Sequence, residues 1–292
     1  MKTALNLSQL AYKSVMLKLG NINSNPTSDY DNVSESYDEY YSKYLGAGAL
    51  EMLDKLPIGD GDNVLDIACG TGFFTHRLAE KVGSSGSVTA VDVSSGMLKC
   101  NQRNASSKGL LNIDFFHADA LHFLSSVPSG SVDGIVCGWG ICYMNHKELL
   151  KEMARIIKPK GFMGIIENRE CSLADVSSVF KKALIDYPQA LVKNMLIKLP
   201  KDKDYLIKTF CGNTFTVKNA WDGQVVVPCS NGNDILDYMI KSGASAGFID
   251  SLDKELSDKV MSKFIFYADE KIKNGVGVVV SHDFSVLVAE KA

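Results

Sequence analysis

The spacing of hydrophobic positions changes along the chain. From Val64 onward, short runs rich in β-branched residues alternate with stretches in which apolar residues recur at helical spacing. The runs predict five strands, at residues 64–67, 88–93, 113–116, 132–137 and 162–166. Crossover helices are predicted between the first two strands and between the last two. Such alternation is typical of an open parallel sheet with helices on both faces.

The segments on either side of this alternation predict additions to the sheet. Residues around 276–289 read as two strands about a turn at Ser281–Asp283, which places His282 at the surface. The fold class is therefore α/β, with a Rossmann-like, open, mostly parallel seven-stranded sheet that ends in an antiparallel hairpin. We expect an N-terminal helical cap or lid, a core, a substrate-covering insertion, and a last helix with the closing strands, at residues 1–59, 60–170, 171–250 and 251–292.

Composition removes several classes of protein and of partner. The chain has 292 residues, with 46% hydrophobic and 22% charged, which is ordinary globular usage. The net charge of −3 does not favour nucleic acid as a partner. No run approaches the ~18 apolar residues that a membrane helix needs, and no export signal is recognisable, so we expect a cytoplasmic protein without a membrane partner. Seven cysteines without a C-x-x-C pair indicate reduced thiols and no metal site.

The most informative block is an apolar strand followed by a glycine-rich turn that opens a helix. Small residues let a ligand approach the backbone closely, and the helix N-terminus offers free N–H groups. A dinucleotide site is one interpretation, because Gly70, Gly72 and Asp92 have suitable spacing, although Thr75 replaces the third glycine. A nicotinamide-dependent oxidoreductase would leave Asp66, an acid inside the strand, without a role.

The motif Asp66-Ile-Ala-Cys-Gly-Thr-Gly72 resembles the first motif of the class I S-adenosylmethionine-dependent methyltransferases, with Ala68 in place of the commoner first glycine. The resemblance covers roughly residues 62 to 167 and the terminal strands. It implies S-adenosylmethionine as cofactor and S-adenosylhomocysteine as product. It also implies that the carboxylate of Asp66 suits a ligand with an ammonium group and a positive centre.

Further positions carry this resemblance along the chain. Asp92 resembles the family's acid that accepts both ribose hydroxyls, with Val93 beside it, and Met97 resembles the apolar residue that packs on the adenine. Asp119 stands where the family places an acid against the adenine amino group, with Ala120 next to it. The stretch Arg155-Ile-Ile-Lys-Pro-Lys-Gly161 also resembles the family's sequence before its fifth strand.

Candidates for the methyl-acceptor side follow the fourth and fifth strands. Gly138 is expected to pass close to the methionine part of the cofactor, and Trp139 and Tyr143 to wall the acceptor pocket; core packing of the two aromatics is equally open. His146 is the candidate general base, with helix capping as the alternative. Glu167 and Asn168 are candidates for binding the acceptor, and Tyr37 for a lid over the cofactor.

The resemblance implies an enzyme of secondary metabolism that transfers a methyl group to an O, N or C atom of a small metabolite by in-line displacement. Alignment of the reactants supplies much of such catalysis. The chain lacks the Asn/Asp-Pro-Pro-Tyr motif of the members that methylate adenine or glutamine amides. A relative that uses the same cofactor for a cyclisation or rearrangement stays an alternative, and so do a monomer and a homodimer.

Overall fold

The structure is a computed structural model that describes residues 2–292, and it divides into two compact units. The core unit consists of residues 42–172, 197–224 and 283–292. The helical unit consists of residues up to 41, 173–196 and 225–282. The α-helices are α1 (Lys2–Leu19), α2 (Thr27–Val33), α3 (Lys43–Asp54), α4 (Phe73–Val82), α5 (Ser95–Ser107), α6 (Ala120–Ser126), α7 (His146–Ile156), α8 (Ala174–Asp186), α9 (Lys203–Phe210), α10 (Gly232–Lys241) and α11 (Ser257–Lys273).

A single seven-stranded sheet has the order β3-β2-β1-β4-β5-β7-β6. Its strands are β1 (Asn63–Ile67), β2 (Ser87–Asp92), β3 (Ile113–His117), β4 (Val132–Gly138), β5 (Ile157–Asn168), β6 (Phe215–Val227) and β7 (Val280–Lys291). Strands β1 to β5 pair in parallel, and β7 is antiparallel to β5, with Asn168 opposite Phe284. The predicted α/β class and seven-stranded sheet are confirmed.

The terminal hairpin was predicted in the wrong place. The last residues form one strand, β7, without a turn at Ser281–Asp283, and β7 lies between β5 and β6. Strand β6 is one continuous strand of 13 residues. The pair that closes the sheet is therefore β6 with β7.

The centre of the sheet explains why the five parallel strands were recognisable. Strands of a parallel sheet are covered on both faces and so read as continuous apolar runs. Ile135, Val136 and Cys137 of β4 are completely buried, and so are Ile165 and Ile166 of β5. Burial of these central strands holds the ends of β1, β2 and β4 in fixed positions.

The helical unit is built on packed aromatic and aliphatic side chains. Phe180 of α8 stacks on Phe264 of α11 with ring centroids 4.0 Å apart, and α10 also packs on α11. Leu10 and Leu17 are the buried residues of α1, which packs on α8.

The two units differ from the segments expected from the sequence. Helix α3, expected in the N-terminal cap, lies in the core unit, as do α9 and most of β6 from the expected insertion. Helix α11, expected to close the core, lies in the helical unit. Contiguous stretches of sequence are thus divided between the units.

Candidate functional site

The candidate site lies beyond the carboxyl ends of β1, β2 and β4. The strand order reverses between β1 and β4, because the chain builds outward from β1 to β3 and then returns to the other side of β1. Ligands of open α/β sheets bind in the crevice at such a point. Asp66 and Asp92 lie at the ends of two adjacent strands there.

Asp66 has a buried carboxylate that is only half satisfied. The hydroxyl of Thr75 donates a hydrogen bond to Oδ2 at 2.6 Å, whereas Oδ1 is buried without a hydrogen-bond partner among the described residues. Burial raises the pKa of Asp66 to about 7, and the negative charge of Asp92 raises it further. A buried acceptor left unpaired is costly, so a ligand that donates a hydrogen bond to Oδ1 would stabilise this arrangement.

A buried chain of polar side chains fixes the direction of that carboxylate. The Asn101 amide donates to Thr75 Oγ1 at 3.0 Å, and Nε2 of His76 lies 2.9 Å from Asn101 Oδ1. Position 72 requires glycine for two reasons. Its φ is +98°, and an added Cβ would lie 2.3 Å from Asn101 Oδ1. Sequence reasoning missed His76 and Asn101; polar residues at apolar positions of α4 and α5 were the available signal.

Asp92 is held by backbone N–H groups. Gly70 N donates to its Oδ2 and Ser94 N to its Oδ1, both at 2.8 Å. Two backbone N–H groups thus fix the orientation of this carboxylate at the end of β2. Gly70 has a φ of +54° and open space at its Cβ position, which leaves room for a ligand to approach.

The other residues expected around the adenine differ in exposure. Val93 is about half exposed, at 49%, whereas Met97 and Ala120 are buried. Asp119 is exposed and caps α6 by accepting a hydrogen bond from His122 N at 2.9 Å. An apolar surface at Val93 is thus available for a flat ring, and Asp119 keeps one oxygen beyond the capping bond.

The loop between β4 and α7 lies tightly against the glycine-rich turn. A Cβ at Gly138 would lie 2.3 Å from the ring of Phe74, and one at Gly140 would lie 2.4 Å from the Cβ of Ala68. Ala68 itself has a φ of +54°. Small residues are therefore required here by packing between protein segments.

These features fit S-adenosylmethionine, the cofactor that the sequence resemblance implies. The unpartnered oxygen of Asp66 suits an ammonium donor, and the oriented carboxylate of Asp92 suits ribose hydroxyls. The open space at Gly70 leaves the approach between them clear.

Two aromatic residues follow β4 on the side where the acceptor is expected, Trp139 and Tyr143. Trp139 has a left-handed backbone with a φ of +59°, its N–H donates to Ile166 O at 2.8 Å, and its ring makes an edge contact with Phe284. Tyr143 is 38% exposed. The strained backbone of Trp139 is thus held by β5.

Glu167 is buried and fastens this loop. Its carboxylate accepts hydrogen bonds from Cys142 N at 3.1 Å and from Asn168 N at 2.8 Å, and burial raises its pKa to about 7. With both oxygens bound to backbone, Glu167 holds the loop in position, and its contact with an acceptor stays a prediction. Asn168 is partly exposed and lies within 3.4 Å of the Ser172 hydroxyl.

His146 links the loop after β4 to α9 through hydrogen bonds. It is buried, with Nε2 at 3.0 Å from Ile141 O and Nδ1 at 3.0 Å from Tyr205 Oη. A carbonyl can only accept, so Nε2 carries the proton and Nδ1 accepts from the tyrosine. Burial lowers the pKa of His146. Both nitrogens are thus hydrogen-bonded within the protein, so His146 stabilises the loop, and its role as a general base stays a prediction. The N-cap of α7 is Asn145.

Two predictions fall in the helical unit. Tyr37 stacks on Tyr41 with centroids 5.0 Å apart and makes an edge contact with Tyr30; its contact with a cofactor stays a prediction. His282, expected at the surface, is buried, and its Nε2 lies 2.8 Å from Tyr238 Oη. The surface prediction was wrong because β7 continues through this position instead of turning.

Residues 2–292 contain no metal-ligand cluster and no disulfide. All seven cysteines are free thiols. None of the helices described is long and apolar enough to cross a membrane.

Comparison with known proteins identifies the core. Residues 64–161 match the family described as "Methyltransferase domain". The demethylmenaquinone methyltransferase of Listeria monocytogenes serotype 4a (strain HCC23) is 28% identical over 182 residues, which cover 61% of this chain and 76% of the relative. That of Geobacillus stearothermophilus is 30% identical over 149 residues, covering 49% and 63%.

Solved structures share the fold at low identity. Geranyl diphosphate C-methyltransferase from Streptomyces coelicolor A3(2) has a TM-score of 0.51 at 16% identity, covering 85% of this chain and 79% of that one. A [4+2]-cyclase has the same TM-score and identity, covering 82% and 78%. The second likeness shows that this fold alone does not establish methyl transfer. The core is thus similar to a methyltransferase domain over residues 64–161, and the relatives that it matches are named as methyltransferases.

Proposed function

We propose that the core unit binds S-adenosylmethionine across the carboxyl ends of β1, β2 and β4. The observation that carries this proposal is the buried oxygen of Asp66 that has no partner among the described residues. In the proposed complex, Oδ1 of Asp66 accepts a hydrogen bond from the ammonium group of the cofactor. Asp92, already oriented by Gly70 N and Ser94 N, accepts the two ribose hydroxyls.

The adenine is proposed to lie on the exposed side of Val93, over the buried Met97 and Ala120. The free oxygen of Asp119 would then accept a hydrogen bond from the adenine amino group. Gly138 and the turn between Ala68 and Gly72 would flank the methionine part. Gly70, which has open space at its Cβ position, leaves the backbone of this turn accessible to it.

The bound cofactor supplies an electrophilic methyl group on a positively charged sulfur. The residues of this chain contribute alignment, because the acids at neighbouring strand ends fix the cofactor at several points along its length. His146 takes no part in proton transfer in this proposal, since both its ring nitrogens are hydrogen-bonded within the core unit. An acceptor that needs deprotonation would have to lose its proton to another group.

For the acceptor, we infer a small and largely apolar molecule that lies against Trp139 and Tyr143. Relatives named as acting on demethylmenaquinone and geranyl diphosphate support an apolar acceptor. Aromatic walls bind such molecules through apolar contact and ring stacking. Glu167 would hold the loop that carries both aromatics, through its hydrogen bond from Cys142 N.

Calorimetric titration tests the cofactor assignment. We expect binding of S-adenosylmethionine and S-adenosylhomocysteine but not of NAD. Asp92→Ala should weaken binding by about 10- to 100-fold, from the loss of charged hydrogen bonds worth roughly 1.5–3 kcal/mol. Asp114→Ala is the matched control, because Asp114 is an exposed acid on the neighbouring strand β3. Equal affinity in Asp92→Ala and Asp114→Ala, with both variants folded, would contradict the ribose assignment.

Methyl transfer is tested separately. The protein is incubated with methyl-labelled cofactor and a panel of apolar ring and isoprenoid acceptors, and label is followed into the organic phase. Transfer that Trp139→Ala reduces mainly through the KM of the acceptor supports the proposed wall. Conversion of an acceptor without label uptake would favour the cyclisation alternative.

A further inference from the structure

Helix α1 has one face that is already packed. Leu10 and Leu17 are buried on it, and two hydrogen bonds attach this face to the last turn of α8 and to the segment that follows α8. Asn6 Nδ2 donates to Ile185 O at 2.8 Å, and Lys13 Nζ donates to Gln189 O at 2.8 Å. The orientation of α1 within the helical unit is thus fixed by both apolar and polar contacts.

The opposite face of α1 is apolar and exposed. Leu5 is 70% exposed and Leu19 is 77% exposed, and three further apolar side chains on the same face are exposed as well: Tyr12, Val15 and Met16. At about 100° per residue, all five fall within roughly 100° of arc, on the side away from Leu10 and Leu17. We call these five residues the α1 stripe. Large apolar side chains grouped in this way mark an interaction surface.

Positive charge borders the α1 stripe on both sides. On the same helical projection, Lys13 lies beyond one edge and Lys18 beyond the other. Residues 1–28 contain three lysines and no Asp or Glu, although the whole chain has a net charge of −3. This segment therefore carries a net positive charge in a protein whose overall charge is negative.

The α1 stripe could bind either a second copy of this chain or a lipid surface, and the charges beside it favour the lipid surface. In a pair of identical copies, the lysines at the edges of one stripe would meet those of the other, without an acid on α1 to neutralise them. An anionic lipid surface offers the opposite charge together with an apolar layer for the side chains. We propose that α1 lies flat on anionic phospholipid membranes, with the α1 stripe inserted and Lys18 at the headgroups.

This proposal is compatible with the lack of a spanning helix among the residues described. A spanning helix needs ~20 apolar residues, whereas an interfacial helix needs only one apolar face and basic residues beside it. Tyr12 suits this position, because an aromatic ring with a polar group favours the membrane interface. The sequence-based expectation of no membrane partner rested on the spanning criterion alone. The proposal stands independently of the proposed cofactor site.

Vesicle co-sedimentation of the 292-residue chain tests the proposal. Vesicles of phosphatidylcholine are compared with vesicles that contain about 30% phosphatidylserine, a composition with a clear surface potential. We expect binding to the anionic vesicles at least about tenfold tighter than to the neutral ones, and weaker at high salt. Lys18→Gln should cost about fivefold, the equivalent of about 1 kcal/mol.

The matched variants separate the α1 stripe from exposed apolar residues in general. Leu5→Gln/Leu19→Gln should reduce binding to anionic vesicles by at least about tenfold. Leu111→Gln/Val276→Asn replaces two exposed apolar residues elsewhere, which are 96% and 69% exposed, and should leave binding unchanged. Unaltered thermal unfolding of every variant shows that the fold is retained.

Two results would overturn the proposal. The first is wild-type binding that is absent, or equal on neutral and anionic vesicles. The second comes from sedimentation equilibrium: a dimer that Leu5→Gln/Leu19→Gln dissociates, in a protein that does not bind vesicles, would assign the α1 stripe to a second copy of the chain.

Discussion

The protonation state of Asp66 should control cofactor binding. Burial raises the pKa of Asp66 from 3.8 to about 7 in the protein without ligand. In the proposed complex, a positively charged ammonium group lies against Oδ1, and an adjacent cation favours the ionised carboxylate. The pKa of Asp66 must therefore fall when the cofactor binds, and binding must release protons near neutral pH.

The size of the effect follows from the ionised fraction. With a pKa of about 7, the fraction of ionised Asp66 falls about tenfold between about pH 8 and about pH 6. If only the ionised form binds well, the apparent affinity falls by the same factor, or about 1.4 kcal/mol. Affinity should thus be highest above the pKa of the free protein and decrease as the pH falls below it.

Isothermal calorimetry with S-adenosylhomocysteine over this pH range is the assay. Titrations in buffers of different ionisation enthalpy give the number of protons released, which should approach about one-half near the pKa of the free protein. Asp66→Asn is the control: it should bind more weakly and show no pH dependence in this range. Wild-type affinity that is constant across the range, or identical pH profiles for wild type and Asp66→Asn, would refute the assignment of Asp66 to the ammonium group.

The same residue predicts an opposite effect on stability. An acid whose pKa is raised by folding binds its proton more tightly in the folded state, so its burial lowers stability as the pH rises from about 4 through about 7. The rise from 3.8 to about 7 corresponds to a cost on the order of 4 kcal/mol above the folded-state pKa. Asp66→Asn should therefore increase the free energy of unfolding at about pH 8, measured by urea denaturation, and lose that advantage at about pH 4.

Three further predictions concern the surroundings of the site. His146→Ala should lower the free energy of unfolding by about 2 kcal/mol, because two buried hydrogen bonds are lost, and the folded variant should keep its turnover number; loss of turnover without loss of stability would restore the base hypothesis. Gly72→Ala should lower the stability by about 2 kcal/mol or more and Gly70→Ala by only about 1, since the added Cβ overlaps Asn101 only at position 72; equal melting temperatures would contradict this packing. Glu167→Gln should raise the KM of the acceptor while the cofactor Kd is unchanged, and a change confined to the cofactor Kd would disprove its role in the loop.

The parallel part of the fold could be predicted closely from the sequence. Strand β1 begins one residue earlier than predicted, and β4 ends one residue later. Both strands are buried on two faces, so their residues form apolar runs that need no knowledge of the neighbouring strands. Strand β5 was predicted too short, because it begins with the polar segment Ile157–Lys160, in which Lys160 has a φ of +66°.

The end of the sheet could not be predicted in the same way. Ser281 and His282 read as a turn because both are polar, whereas β7 runs through them and buries the His282 ring. The cost of burying that ring is offset by a hydrogen bond with Tyr238, which is 44 residues away in the chain. Polarity signals a turn only when no distant partner is present, and a single sequence does not show that partner.

The three acids of the candidate site also differ in ways that depend on contacts that a single sequence does not show. The sequence treats Asp66, Asp92 and Asp119 as equivalent, each an acid near the end of a successive strand. The structure separates them by their hydrogen bonds: Asp119 caps a helix, Asp92 is oriented by two backbone N–H groups, and Asp66 keeps a buried oxygen without a partner. Without a ligand, the exposed carboxylate of Asp119 can be solvated at little cost, whereas the buried Oδ1 of Asp66 loses its hydrogen bond. Among the three, substitution of Asp66 should therefore produce the largest opposed changes, a gain in the stability of the free protein and a loss of cofactor affinity, and this opposition distinguishes a ligand-binding acid from a structural one.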